Sequence, residues 1–349
     1  MNPERIDRYE ILAELGRGAM GVVYKAHDPL LDRIVAIKTL NLSLTEKELA
    51  EYEARFYQEA KAMGKATHPN IISLFDVGRN DDLAYMTMEY LEGRELRQIL
   101  DSGKRLEIGR IADIARQAAE GLGHAHERDI IHRDIKPSNI MISKGGQVKI
   151  ADFGIAAIPS SAVRTMTGMV MGSPQYMSPE QVTGKNVDYR TDIFSLGIVL
   201  YEMLTGSPPF EGENVHSIMY GIVNFNPPPP GTLNPEVPEM LDYIVAKALA
   251  KDAGLRYQSA KEMAEDLKSC GKRDNAAQPS PMRFEENDRD ALPAYAISRD
   301  FDSLDATRQL AILTDFEHSS RIGAKSHPVV LWAGFLLFAL LTIALVFLL

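Results

Sequence analysis

Eight residues, His132-Arg133-Asp134-Ile135-Lys136-Pro137-Ser138-Asn139, followed after a short stretch by Asp152-Phe153-Gly154, constrain this chain more than any other feature. Phosphoryl transfer needs a base near the acceptor hydroxyl and two further groups that hold metal. This spacing supplies all three within one loop and the strand after it.

Composition narrows the alternatives. With 349 residues, 45% of them hydrophobic, the chain can bury the core of one large two-lobed domain and have residues to spare. Its net charge of -10, without a concentrated Lys/Arg stretch, argues against nucleic acid as a partner, because that binding is driven by phosphate neutralisation. A single cysteine, Cys270, cannot form an intramolecular disulfide and fits a reducing compartment. The first residues, Met1 to Asp7, lack the apolar run of a cleavable signal peptide.

The membrane signal is at the other end. Val329 to Leu349 carries no charge and, at 1.5 Å per residue, reaches about 31 Å as a helix, the thickness of a bilayer's hydrocarbon core. Arg321 and Lys325 precede it, so residues 1–328 are expected in the cytoplasm, with no outside sensor domain. The span holds one glycine, Gly334, and no small-xxx-small pair, which leaves anchorage as its expected role.

Between these ends the chain divides into three. Residues 9 to about 92 alternate short β-rich runs with turns, interrupted by helical spacing from about Thr45 to Lys65, and read as a small lobe of about five strands and one helix. Residues 93 to about 270 are mostly helical by pattern and read as a larger lobe. Residues 271–328 shift toward Pro, Asp, Glu, Asn, Arg and Ser, the composition of a solvated juxtamembrane linker, with one amphipathic stretch at Leu304 to Phe316.

Leu15-Gly16-Arg17-Gly18-Ala19-Met20-Gly21-Val22-Val23 is a turn whose glycines let backbone N–H donors pass close over phosphate oxygens. A dinucleotide-binding turn is the competitor, but it needs these glycines to open a helix, whereas Val22 to Ala26 continues as a β-type run. Ile34-Val35-Ala36-Ile37-Lys38 puts a lysine at the end of a buried-type strand, where its charge needs a partner. Glu59 is the candidate; Glu51 and Glu53 compete by sequence.

Together these residues resemble the eukaryotic-type serine/threonine protein kinases, and more narrowly the bacterial membrane-anchored members. The resemblance covers about residues 9–270 and rests on the glycine loop, Val35-Ala36-Ile37-Lys38, the His-Arg-Asp loop, Asp-Phe-Gly, Ser178-Pro179-Glu180 and Asp192. It implies an α+β, two-lobed kinase fold, ended here by a C-terminal transmembrane helix. ATP would bind between the lobes under Leu15 to Val23. Lys38 would hold its α and β phosphates and pair with Glu59, and Asn139 and Asp152 would bind magnesium, or manganese in its place. Asp134 would orient the acceptor hydroxyl and take its proton, while Lys136 would stabilise the transferring phosphoryl. Met88 would guard the back of the adenine pocket, the backbones of Glu89 and Leu91 would read the adenine edge, and Val23 and Ala36 would sandwich the base. Ordinary strand packing explains the last two equally well.

Two positions depart from the commoner family pattern. Ser178 replaces alanine, and Ser173 replaces a threonine whose hydroxyl would bridge Asp134 and Lys136. Thr165 and Thr167 stand at the spacing of the family's autophosphorylation sites, and Arg133 is a cation that wants such a phosphate. Activation is therefore expected to come from phosphorylation in trans, through a transient homodimer of kinase domains on the inner membrane. Protein substrates are expected to lie along Gly172 to Glu180. A membrane-tethered pseudokinase scaffold is the alternative, disfavoured because Lys38, Asp134, Asn139 and Asp152 are all present. His124 and His126, two apart, cannot share one helix face and read as structural.

Overall fold

The computed structural model describes residues 3–18, 21–40, 56–58, 60–80, 83–153 and 174–270. The chain divides into two compact units, Met1–Ser303 and Leu304–Leu349, and every described residue belongs to the first. Residues 271–328, expected as a linker, and the apolar Val329 to Leu349 lie outside the described residues. Among those that are described, no helix is long and apolar enough to cross a membrane.

Six strands make the first sheet: β1 (Arg5–Ile6), β2 (Tyr9–Gly18), β3 (Gly21–Asp28), β4 (Arg33–Leu40), β5 (Leu74–Asn80) and β6 (Leu83–Glu89). They run antiparallel in the order β1-β2-β3-β4-β6-β5. The sixth strand, beyond the five expected, is the Arg5–Ile6 clip on Tyr9 and Glu10, too short to show alternation in sequence.

Period-two alternation sorts the two faces. Val22, Tyr24 and Ala26 of β3, Val35 and Ile37 of β4 and Tyr85 of β6 turn to one side and pack with Ile6 and Tyr9. The intervening residues turn to the other, where the register sets Val23 against Lys38, Lys38 against Met86 and Ala36 against Met88. The strands thereby present an apolar surface with two lysines, Lys25 and Lys38, in it.

Helix α1 (residues 56–58 and 60–65) precedes a loop that is stitched to the larger lobe. Ile72 N–H donates to Ile150 O at 2.9 Å, Ile150 N–H returns to Asn70 O at 2.9 Å, and Asn70 Nδ2 donates to Val148 O at 2.8 Å. The His68 ring lies against His124, centroids 4.7 Å apart.

The larger lobe begins with β7 (Gly93–Glu95), which joins β8 (Ile140–Ser143) and β9 (Val148–Ile150) in a second sheet ordered β7-β8-β9. Gly93 is required there, since a Cβ would land on the Ile142 carbonyl. Helices α2 (Leu96–Asp101), α3 (Ile108–His126), α4 (Pro179–Val182), α5 (Arg190–Thr205), α6 (Val215–Asn224), α7 (Pro230–Leu233), α8 (Glu239–Ala248) and α9 (Ala260–Cys270) follow. Ile111, Ile114, Ala115, Ala118 and Leu122 form the buried stripe of α3 at helical spacing. Helix α5 is buried all round from Thr191 to Leu204 and ends at Gly206, whose φ of 89° suits a residue without a side chain. A helix apolar on every face belongs at the centre of a lobe, and its few polar atoms must be spent on neighbours.

Candidate functional site

Asp192, in the first turn of α5, is fully buried and sits under the loop that carries the sequence motif. Its Oδ2 accepts the His132 backbone N–H at 2.8 Å and its Oδ1 accepts that of Arg133 at 2.7 Å. His126 Nε2 lies 2.8 Å from the same Oδ2. Burial works to raise this carboxyl's pKa, and the His126 hydrogen bond and charge outweigh it, so Asp192 is held below the usual carboxylate value. A fixed anion thus organises two consecutive amides, and Arg133 adopts a left-handed φ of 67° that few side chains tolerate unaided.

His132 completes the turn from inside. It is fully buried, its Nδ1 accepts the Asp134 N–H at 3.2 Å, and its Nε2 therefore carries the proton donated to Ala151 O at 3.0 Å. Its ring packs on Phe153, centroids 4.8 Å apart. One imidazole so ties the catalytic-loop backbone to the backbone just before Asp152.

The polar side chains converge from there. Lys136 Nζ donates to Asp134 Oδ2 at 2.7 Å, and Asn139 Nδ2 donates to the same oxygen at 3.1 Å and to Asp134 O at 2.8 Å. Ala151 N–H donates to Asn139 O at 2.9 Å, which places Asp152 beside Asn139. From the first sheet, Lys38 Nζ reaches Asp152 Oδ1 at 2.9 Å. Burial raises the Asp152 pKa, and the Lys38 charge and hydrogen bond more than reverse it, leaving the carboxylate ionised. Asp152, like Arg133, is left-handed, with φ 52°.

Of the predicted residues, the structure brings Lys38, Asp134, Lys136, Asn139 and Asp152 together, with Val23, Ala36 and Met88 on the sheet face above. Glu89 ends β6, and its side chain turns to the buried Lys149, 3.0 Å away. Leu15, Gly16 and Arg17 lie on β2 and are exposed; a Cβ on Gly16 would meet nothing within 4 Å. Gly21 and Val22 start β3, and Leu91 follows β6. The placement of Ala19, Met20, Glu59, Thr165, Thr167 and Ser173 lies outside the described residues, as do the side-chain surroundings of Gly18. His124 and His126 serve as expected: one packs on His68, the other on Asp192.

Three residues escape the sequence. Glu95, at the end of β7, is pushed above the usual carboxylate value, first by burial and then by the charge of Asp152. Glu202 of α5 accepts from Tyr176 Oη at 2.7 Å and pairs with Arg97 of α2. Gln181 of α4 donates to the Arg133 carbonyl at 2.8 Å. Only distance in space joins these to the motif, so no local spacing announces them.

The segment after the motif is anchored as firmly. Arg256, with no exposed side-chain surface, forms two hydrogen bonds with Glu180, at 2.7 and 2.8 Å, and Thr191 Oγ1 adds a third to that carboxylate at 2.6 Å. Burial raises Glu180, but the Arg256 bonds and charge carry it below its ordinary value.

A two-lobed fold with this cluster between a small sheet and a helical lobe defines a class, and comparison with known proteins agrees. Residues 9–267 match the family described as the protein kinase domain, and the chain belongs to that family. It is 38% identical over 343 residues to serine/threonine-protein kinase PrkC of Bacillus subtilis, covering 97% of this chain and 51% of that protein. It is 42% identical over 275 residues to the probable serine/threonine-protein kinase SCO3848 of Streptomyces coelicolor, covering 77% and 41%. The crystal structure of the Mycobacterium tuberculosis PknI kinase domain superposes with a TM-score of 0.59 at 25% identity, covering 76% of this chain and 96% of that one. The chain spans about half the length, or less, of the curated relatives it matches.

Proposed function

We propose that the chain is an ATP-dependent serine/threonine protein kinase that moves the γ-phosphoryl of ATP to Ser or Thr hydroxyls of proteins. The observation that carries this is the joining of Lys38 to Asp152 at 2.9 Å, with Asp134, Lys136 and Asn139 in one hydrogen-bonded group below. A scaffold that only bound partners would have no use for such an arrangement.

The residues divide the work. Lys38 meets the α and β phosphates. The backbones of Glu89 and Leu91 receive the adenine edge, with Val23, Ala36 and Met88 against the base, and the glycine loop covers the phosphates. Asp134, exposed at the cleft, takes the acceptor hydroxyl's proton as its oxygen bonds to the γ-phosphorus and the bond to the leaving ADP breaks. Lys136 neutralises charge on the phosphoryl in flight.

Magnesium fits the donors present. Asn139 commits its Nδ2 to Asp134, which leaves its amide oxygen to pair with a carboxylate oxygen of Asp152, a hard-oxygen set. No group of three or more His, Cys, Asp or Glu that could hold a metal occurs among the described residues. Asn139 and Asp152 would hold a divalent ion, magnesium or manganese, which would supply positive charge against the phosphates.

Regulation and location extend the reading. Arg133 Nε is buried and, among the described residues, has no hydrogen-bond partner; a phosphate on Thr165 or Thr167 satisfies it. Kinase domains pair transiently in trans to place that phosphate, and protein substrates run along Gly172 to Glu180. We assign residues 9–270 to the kinase domain, divided near residue 92, then a linker to 328 and a membrane anchor at 329–349 in the inner membrane, with the kinase in the cytoplasm.

The test is transfer of labelled γ-phosphate by the full chain in lipid with Mg-ATP, beside Asp134→Asn, followed by phosphoamino-acid analysis. Phosphoserine and phosphothreonine that vanish in the variant support the proposal. Tight ATP binding with no transfer overturns it in favour of the scaffold. Alkaline extraction of membranes checks the anchor, and phosphopeptides in which Thr165 and Thr167 are both bare sink the regulatory step.

A further inference from the structure

Gln181 has both ends of its amide fixed. Its Oε1 accepts the Ser178 N–H at 2.9 Å, completing a reciprocal capping box with the Ser178 hydroxyl at the start of α4. That leaves Nε2 to donate to the Arg133 carbonyl at 2.8 Å. The serine that stands where the wider family more often has alanine is therefore part of a device that aims a glutamine at the catalytic loop.

What the glutamine meets is one of the two left-handed residues of the site. Arg133, with φ 67°, holds its turn only because its surroundings insist on it. Asp192 holds the turn from below through the amides of His132 and Arg133. Gln181 holds the opposite side of the same residue. The Arg133 carbonyl lies in the peptide plane that ends at the Asp134 Cα, so a rotation of that plane swings the Asp134 carboxylate. Helix α4 is itself pinned through Glu180 to Arg256 and Thr191.

We propose that Gln181 is a positioning residue for Asp134, conveying the seating of Pro174–Val182 to the catalytic carboxylate through the Arg133 carbonyl. The inference rests on the kinase reading and adds a residue to it. Gln181 touches neither nucleotide nor acceptor in this scheme. Its effect belongs to the chemical step, not to ATP binding.

Two variants of the full chain test it, with kcat and KM for ATP measured against pH. Gln181→Met keeps the bulk and removes both bonds; kcat is expected to fall about ten-fold, with KM for ATP within about two-fold of wild type. Gln181→Glu keeps an acceptor for Ser178 but, when ionised, faces the Arg133 carbonyl with a second acceptor. Its kcat is expected to be low at pH 7.5 and to recover relative to wild type as pH falls toward about 5, where the acid form can donate. A merely structural residue has no such pH signature. Wild-type kcat in Gln181→Met, or a pH-independent ratio for Gln181→Glu, overturns the inference; if Gln181→Met does not fold, the ratio alone decides. A wild-type chain that binds ATP but transfers nothing overturns the kinase reading and this inference together, whereas an active wild type with unaffected variants overturns only this one.

Discussion

Lys38 Nζ donates to Asp152 Oδ1 at 2.9 Å across 114 residues of sequence, from a strand of the small sheet to the turn after β9 in the other lobe. This one bond spans the cleft that a nucleotide must enter. It aims the lysine and keeps the carboxylate ionised, so both groups are fixed in place by the fold itself.

Lys38→Met should therefore cut phosphoryl transfer by roughly two to three orders of magnitude, the usual cost of removing a preorganised charge from such a site. Single-turnover transfer with labelled ATP measures it. Retention of more than a tenth of wild-type activity would mean that another cation does the work.

Glu95 should matter for binding and little for chemistry. Its carboxyl feels the charge of Asp152 and so lies near the cleft group, where its oxygens can accept hydrogen bonds from hydroxyls of a ligand. Glu95→Leu is expected to raise KM for ATP about ten-fold while kcat stays within about two-fold. A fall in kcat alone would contradict this assignment.

Arg256→Met leaves Glu180 buried without its cation. Breaking one side of a buried pair costs about 3–5 kcal/mol, and here it also frees the segment that carries Gln181. Urea denaturation checks the loss. Because Glu180 and Asp192 are held below their ordinary carboxylate values, their contribution is complete above pH of about 4.5 and is lost as pH falls through their lower folded values.

His68 and His124 make a contrasting pH test. Burial leads in lowering both, helped at His68 by the charge of His124 and at His124 by Arg128; Lys149 adds to the effect at His68 and Lys261 at His124, against Glu120 and Glu127. The unfolded chain then binds more protons than the folded one, so stability is full above the ordinary value of 6.5 and declines as pH drops through 6.5 toward the lowered values. Melting temperatures from pH 8 to 5 should show that decline, and His124→Phe should flatten it. A variant as pH-sensitive as wild type would assign the decline elsewhere.

Val35 to Lys38, His132 to Asn139, Asp152-Phe153 and Ser178 to Glu180 were legible as motifs in the sequence, because the members of each stand within a few residues of one another, and the structure gathers Lys38, Asp134, Lys136, Asn139 and Asp152 into one group. The two lobes were legible for a related reason: period-two alternation before residue 92 and helical spacing after it report which face of each element is buried. The strand Arg5–Ile6 was not, since two residues carry no period. Glu95, Gln181 and Glu202 were invisible because their partners lie elsewhere in the chain.

Sequence by itself determined the chemistry available to this protein: which residues can accept a proton, hold a metal or meet a phosphate, and the order in which they occur. Tertiary structure alone decided their relations. It joined Lys38 to Asp152, set Asp192 beneath two consecutive amides, turned the Glu89 side chain to Lys149 and brought Gln181 to the Arg133 carbonyl. The reason is physical: backbone conformation and burial pattern are set by near neighbours, whereas a buried polar atom takes whichever partner the packing of distant elements brings within 3 Å or so.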